Sequence, residues 1–110
     1  MRTKLLFICS RNRWRSPTAE ALVKGHQSYD VRSAGTSEAA RVKVNDGHVR
    51  WADMIFVMEN RHRQLLLERF CDSMRPKMIT VLDIPDEFGF MDEGLVALLR
   101  ERLAPHLDEL

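Results

Sequence analysis

The chain has 110 residues, of which 45% are hydrophobic, and its 17 Lys and Arg residues nearly balance 16 Asp and Glu residues. This composition predicts one globular domain, residues 1–110, and excludes a disordered chain. The near-neutral charge indicates neither nucleic acid nor a membrane as a partner, and no apolar run approaches the roughly 20 residues that cross a bilayer. Two cysteines do not suggest a disulfide framework, so we expect a reducing compartment, the cytoplasm.

Short apolar runs alternate with helical patterns along the whole chain. We predict strands at about 4–9, 29–33, 54–58 and 78–82. Helices are predicted at about 17–24, 60–71 and 92–107, with a further short helix before Trp51. This alternation predicts an α/β fold, a three-layer sandwich in which a four-stranded parallel sheet carries helices on both faces. Ligands in such sheets bind beyond the carboxyl ends of the strands.

The segment between the first strand and the first helix has the features of an anion site. Cys9 ends the strand, Arg15 follows after five residues, and then comes Ser16-Pro17, which predicts a helix start. Two compatible roles are predicted for Ser16, the helix cap and a hydrogen-bond donor to the thiolate of Cys9. Free N–H groups of the helix N-terminus, loop amides and the guanidinium of Arg15 would together hold a phosphate. The same positive field favours the thiolate form of Cys9, a nucleophile placed against phosphorus.

This segment resembles the Cys-x5-Arg-Ser signature of the low-molecular-weight protein tyrosine phosphatases. Three further segments, in the family's order, are similar to its second-strand, third-strand and acid-loop regions: Ser33-Ala34-Gly35-Thr36, Trp51 to Glu59, and Pro85-Asp86-Glu87-Phe88. The resemblance implies strand order 2-1-3-4 and hydrolysis of phosphate monoesters through a thiophosphate on Cys9. It implies a phosphorylated protein, chiefly on tyrosine, or a small phosphate ester as substrate. Phosphoarginine fits an anion loop as well, so the substrate stays open between these three. No cofactor or metal is expected, because the loop and Arg15 supply positive charge.

The predicted phosphate-binding residues are Ser10, Arg11, Asn12, Arg13, Trp14, Arg15 and Ser16. Asn12 tolerates a positive φ, and the resemblance gives it the task of holding the loop shape. Arg11 stands where the family commonly has glycine, and Trp14 where it often has a second cysteine. We therefore expect Cys9 to be more vulnerable to peroxide than in relatives with both cysteines. Arg11 and Arg13 either favour substrates with extra negative charge or are solvated surface charges.

A general acid is also needed, and the resemblance assigns it to Asp86. The segment containing Asp86 follows the fourth strand, so it should lie at the same sheet edge as Cys9. Asp83 and Glu87 are rival acids, because Glu87 replaces the proline that the family usually has after its aspartate. Phe88 either flanks the ring of a substrate or belongs to the core.

Two other functions stay open at this stage. A non-catalytic phospho-ligand binding module is one, because the family's longer pocket segment is mostly absent between residues 37 and 50. An arsenate reductase is the other, although Cys71 is the one further thiol that it could use. Cys71 is predicted in the core and His62 on a solvated helix face. The four histidines, His26, His48, His62 and His106, show no metal-ligand spacing. The sequence predicts no oligomeric state.

Overall fold

The computed structural model describes residues 2–108. Four strands form one parallel sheet: β1 (Thr3–Cys9), β2 (Tyr29–Gly35), β3 (Met54–Val57) and β4 (Met78–Val81). Their order is β2-β1-β3-β4, with β1 paired to both β2 and β3. The predicted fold class and strand order are therefore confirmed.

Five helices connect and cover the strands: α1 (Arg15–Val23), α2 (Asp46–Trp51), α3 (Asn60–Arg69), α4 (Cys71–Met74) and α5 (Glu93–Leu103). The predicted helix 60–71 is interrupted at Phe70, whose ψ of 40° leaves the helical region, so a separate turn of helix starts at Cys71. That turn leaves Cys71 exposed, so its prediction as a core residue was wrong. None of the helices between residues 2 and 108 is long and apolar enough to cross a membrane.

Two layers of buried side chains pack on opposite faces of the sheet. Successive residues of a strand point to opposite faces, and β1 shows this alternation. Leu5 and Phe7 belong to the layer under α1 and α5, whereas Leu6 and Ile8 belong to the layer under α2 and α3. Cys9, the last residue of β1, belongs to the layer under α1 and α5 and lies at the carboxyl edge of the sheet.

Every segment that leaves the carboxyl end of a strand arrives at this same edge, because the strands are parallel. These segments are residues 10–14 after β1, 36–45 after β2, 58–59 after β3 and 82–92 after β4. The fold thus brings four separate parts of the sequence together around Cys9.

Candidate active site

A cavity of about 490 Å³ opens at the carboxyl edge of the sheet, and Cys9 lies in its wall. We call it the Cys9 cavity, and the segment of residues 10–14 the Cys9 loop. Of the predicted site residues, Cys9, Ser10, Arg11, Arg13, Trp14, Arg15 and Asp86 line this cavity. Asn12 and Ser16 are fully buried beneath it, and Phe88 lies in an adjoining groove with Trp14 and Asp86. The structure therefore brings all the predicted residues into one region.

The Cys9 loop is held with its carbonyl groups turned away from the cavity. Four successive carbonyl oxygens accept hydrogen bonds from the segment that follows β2. The pairs are Cys9 with the amide of Thr36 (3.0 Å), Ser10 with the amide of Ser37 (2.8 Å), Arg11 with the amide of Arg41 (2.9 Å) and Asn12 with Nε of Arg41 (3.0 Å). A trans peptide points its N–H opposite to its C=O, so the loop's amides turn inward. Inward amides in succession form a concavity that binds anions.

Gly35, at the end of β2, allows this close approach between the loop and the following segment. A Cβ atom at this position would collide with the carbonyl oxygen of Ser10 and would lie 2.8 Å from Cβ of Ala40. A side chain here would therefore push the loop out of shape.

Two donors converge on the sulfur of Cys9. Its Sγ lies 2.9 Å from Oγ of Ser16 and 3.3 Å from the backbone nitrogen of Asn12. The prediction that Ser16 caps α1 was wrong, because the helix begins one residue earlier, at Arg15, and the N-cap position falls on Trp14. The other predicted role of Ser16, as a hydrogen-bond donor to the sulfur of Cys9, agrees with the position of its hydroxyl. Hydrogen bonds to a thiolate favour the charged form of the sulfur.

Asn12 connects Cys9 and Ser16 to a longer hydrogen-bond network. Its φ is 55°, as predicted, and its Nδ2 donates to both Ser16 and Ser33, each at 2.9 Å. Ser33 in turn donates to Oε1 of Glu20 at 2.6 Å. Because the single hydroxyl proton of Ser33 goes to this carboxylate, Ser33 can only accept from Asn12. Ser16, which also accepts from Asn12, keeps its own proton for the sulfur.

Arg15 lines the same cavity as Cys9 and is nearly inaccessible, with 2% of its side chain exposed. Its Nη1 donates to Oε2 of Glu59 and to the carbonyl oxygen of Ile84, both at 2.8 Å. Both of these hydrogen bonds use Nη1, and the Nε–Nη2 edge of the guanidinium is the planar fork that can hold an oxyanion. Burial opposes charge on Glu59, but hydrogen bonds from Arg15 and Arg61 hold the pKa of this carboxyl below its usual value.

Of the three candidate acids Asp83, Asp86 and Glu87, Asp86 is the one that lines the cavity. Its Oδ1 lies 3.7 Å from Nε of Arg15, and 47% of its side chain is exposed. Asp83 is exposed and does not line the cavity, while Glu87 lines only the adjoining groove. Phe88 is half-buried, packs against the core layer under α5, and has one side in that groove.

His62 was predicted on a solvated helix face, and this prediction was wrong. The side chain is fully buried in the first turn of α3, where its Nδ1 accepts from the amide of Glu59 at 3.1 Å. Burial, together with the charges of Arg15 and Arg61, lowers the pKa of His62 to about 4, with Glu59 opposing the shift. The ring is therefore neutral at neutral pH, and its proton is on Nε2, 2.9 Å from Oγ of Ser10.

Sequence reasoning missed Glu20, Arg41, Glu59 and His62. A histidine three residues after a helix cap is a local sign of a capping box, and Glu59 with His62 form one. Glu20 and Arg41 leave no comparable local pattern.

Comparison with known proteins finds a similar sequence and several similar structures. No protein-family model matches the chain. A protein-arginine-phosphatase of Geobacillus stearothermophilus is 28% identical to this chain, in an alignment that covers 78% of this chain and 79% of that protein.

Several solved structures share the fold. The YwlE arginine phosphatase of Geobacillus stearothermophilus superposes with a TM-score of 0.70 at 23% identity, covering 98% of this chain and 99% of that one. The tyrosine phosphatase Wzb of Escherichia coli K30 gives a TM-score of 0.74 at 22% identity, with 96% of each chain covered. A low-molecular-weight protein tyrosine phosphatase of Streptococcus pyogenes gives 0.71 at 17% identity, covering 97% of this chain and 95% of that one. The chain is therefore similar in sequence to a protein-arginine-phosphatase and shares its fold with low-molecular-weight protein tyrosine phosphatases.

Proposed function

We propose that the chain is a cysteine-dependent phosphatase that hydrolyses phosphate monoesters, with phosphotyrosine in proteins as its substrate. The observation that carries the proposal is the sulfur of Cys9 at the base of an amide-lined loop. Two donors, the hydroxyl of Ser16 and the amide of Asn12, point at this sulfur, and the buried side chain of Arg15 lines the same cavity. Such a site stabilises both an attacking thiolate and the charge on a transferring phosphoryl group.

The reaction has two steps. The thiolate of Cys9 attacks phosphorus while the loop amides and the Nε–Nη2 edge of Arg15 hold the equatorial oxygens. Asp86 protonates the departing oxygen, which leaves as an alcohol or phenol. The ionised Asp86 then takes a proton from a water that attacks the thiophosphate, releasing inorganic phosphate and restoring the thiolate.

The walls of the cavity favour an aromatic leaving group. Trp14 is exposed at the mouth, and Phe88 lines the adjoining groove beside Asp86, so a phenyl ring has aromatic surfaces to pack on. Phosphoarginine is the second candidate, because the curated relative at 28% identity is a protein-arginine-phosphatase. Against it, five arginines line the cavity, and they would repel the guanidinium that this substrate releases: Arg11, Arg13, Arg15, Arg61 and Arg69.

We further propose that the enzyme works in the reducing cytoplasm on phosphorylated proteins. Cys9 must stay a free thiol to act, and both Cys9 and Cys71 are free.

The test is hydrolysis of para-nitrophenyl phosphate by the purified protein, with Cys9→Ser as the control. Turnover that disappears in Cys9→Ser is the expected result. Binding of vanadate or phosphopeptide without turnover would contradict the proposal and would indicate a non-catalytic binding module. Two peptides that differ only in phosphotyrosine or phosphoarginine then decide the substrate, and a higher kcat/KM for phosphoarginine would overturn the tyrosine assignment.

A further inference from the structure

A second groove, of about 390 Å³, adjoins the Cys9 cavity and shares Arg13 with it. One side is formed by Glu20 of α1 and by Lys24, the residue that caps its C-terminus, and the other by Phe90 from the segment before α5. We call it the side groove. If the phosphorylated residue of a protein substrate occupies the Cys9 cavity, the neighbouring residues of that substrate run past Arg13 and enter the side groove.

The side groove carries a net positive charge. Arg13 and Lys24 are exposed, and their side chains have no ion-pair or hydrogen-bond partner among residues 2–108. Arg41 adds a third charge, which its hydrogen bond to the carbonyl oxygen of Asn12 fixes beside the groove. Glu20 is the one acid in the lining, and its Oε1 is occupied by the hydroxyl of Ser33.

The rim of the groove is also unusually apolar. Phe90 is 56% exposed, and Met91 and Trp14, at 43% and 42%, are the neighbouring exposed large hydrophobic side chains. The segment is anchored to α1, because the amide of Met91 donates to Oγ1 of Thr18 at 2.9 Å. Exposed aromatic surface beside unpaired cations typically marks a surface that binds another chain.

We propose that the side groove binds the part of a phosphoprotein substrate next to its phosphorylated residue, and that it selects an acidic side chain together with a bulky apolar one. The proposal rests on the phosphatase function proposed above and names its substrate class. The acidic residue pairs with Arg13 and Lys24, and the apolar residue packs on Phe90. Complementary charge at the rim of a site contributes to specificity and to the rate of encounter.

The test compares a substrate that fills only the Cys9 cavity with substrates that reach the groove. Para-nitrophenyl phosphate is the first. The second is a phosphotyrosine peptide with glutamate and leucine beside the phosphorylated residue, and the third is the same peptide with lysine in place of glutamate. The variants are Lys24→Glu and Phe90→Ser. Matched controls are Arg63→Glu, at an exposed arginine that lines neither the Cys9 cavity nor the side groove, and Met78→Ser, at an exposed methionine on β4.

We expect all four variants to hydrolyse para-nitrophenyl phosphate at the parent's rate. Lys24→Glu should lower kcat/KM for the acidic peptide by roughly tenfold and raise it for the lysine peptide, since a reversed charge at the rim reverses the preference. Phe90→Ser should lower kcat/KM for both peptides by roughly fivefold. The controls should change neither value, and the preference for the acidic peptide should shrink at high salt.

Unchanged peptide preferences in Lys24→Glu and Phe90→Ser would overturn the proposal and leave the phosphatase function intact. If the parent does not hydrolyse para-nitrophenyl phosphate, the proposed phosphatase function is wrong. The role of the side groove is then tested by binding alone, with fluorescence anisotropy of the same phosphopeptides carrying a label. A dimer in solution that Phe90→Ser dissociates would also overturn the proposal, because the groove would then hold a second copy of the chain.

Discussion

Nε2 of His62 donates to the hydroxyl oxygen of Ser10 at 2.9 Å, while Nδ1 of the same ring accepts from the amide of Glu59. Both ring nitrogens are engaged, so the ring has one orientation and one tautomer. The hydroxyl of Ser10 accepts from His62 and keeps its own proton as a donor, and Ser10 lines the Cys9 cavity. His62 is thus placed to aim a hydroxyl donor at an oxyanion without touching the oxyanion itself.

The first prediction is that His62 acts on anion binding through Ser10. Ser10→Ala should weaken vanadate binding by roughly tenfold, because one hydrogen bond to a charged group is lost. His62→Leu should weaken it similarly, and His62→Gln, which keeps a donor, should recover part of the loss. In the Ser10→Ala background, His62→Leu should add little further loss, since the two residues act as one unit. Losses that simply add would show that His62 has a structural role only.

The second prediction concerns the dependence of stability on pH. The pKa of His62 is about 4 in the folded chain, because of burial and the nearby arginines, and about 6.5 in an unfolded one. Between these values the unfolded chain binds more protons, so the free energy of unfolding falls as pH falls from 6.5 to 4, by about 3 kcal/mol from this group. The lowered pKa of Glu59 makes its own contribution to stability fall only at the acid end of this window, below its usual value of 4.5.

Urea unfolding at several pH values between 4 and 6.5 measures this slope. We expect His62→Gln to flatten it. His106→Gln removes an exposed histidine and controls for the loss of a histidine as such. Equal slopes in the parent and in His62→Gln would contradict the prediction.

The third prediction assigns the general acid. Asp86→Asn should lower kcat by roughly a hundredfold for phenyl phosphate, whose leaving group needs a proton, and by much less for para-nitrophenyl phosphate. Asp83→Asn and Glu87→Gln are matched controls, because neither side chain lines the Cys9 cavity. If Glu87→Gln instead lowered kcat for phenyl phosphate by this amount, Glu87 would be the general acid.

The fourth prediction concerns oxidation of Cys9. Trp14 occupies the position where many relatives have a second cysteine, and Cys71 does not line the Cys9 cavity. No neighbouring thiol can therefore trap a sulfenic acid on Cys9 as a disulfide, and peroxide should drive the sulfur to irreversible states. After peroxide treatment, dithiothreitol should restore little activity to the parent or to Cys71→Ser, and more to Trp14→Cys. Full recovery in the parent would refute this.

The sheet and the loop after β1 could be predicted because their signals are local. Apolar runs define the strands, and the spacing from Cys9 to Arg15 defines the loop. The errors arise where the deciding partner lies far along the chain. Ser16 was assigned as a cap because a serine before proline usually is one, yet its hydroxyl is taken by Cys9, seven residues earlier. His62 lies between two arginines, which suggested solvent, but its partner is Ser10, 52 residues away.

The residues that were missed altogether follow the same rule. Arg41 holds the carbonyl oxygen of Asn12 across 29 positions, and Glu59 holds Arg15 across 44. Neither the composition nor the periodicity of the sequence contains such pairings, because they exist only once the parallel strands have brought their carboxyl ends together.

The carbonyl oxygens of residues 9–12, which accept hydrogen bonds from the segment after β2, have one more consequence. Since protein contacts alone fix the loop, its recess is complete before any substrate arrives, and inorganic phosphate fits it as well as a phosphoryl group does. The product should consequently compete with the substrate for the resting enzyme, so that turnover slows as phosphate accumulates. Released phosphate would then act as a competitive inhibitor of the enzyme.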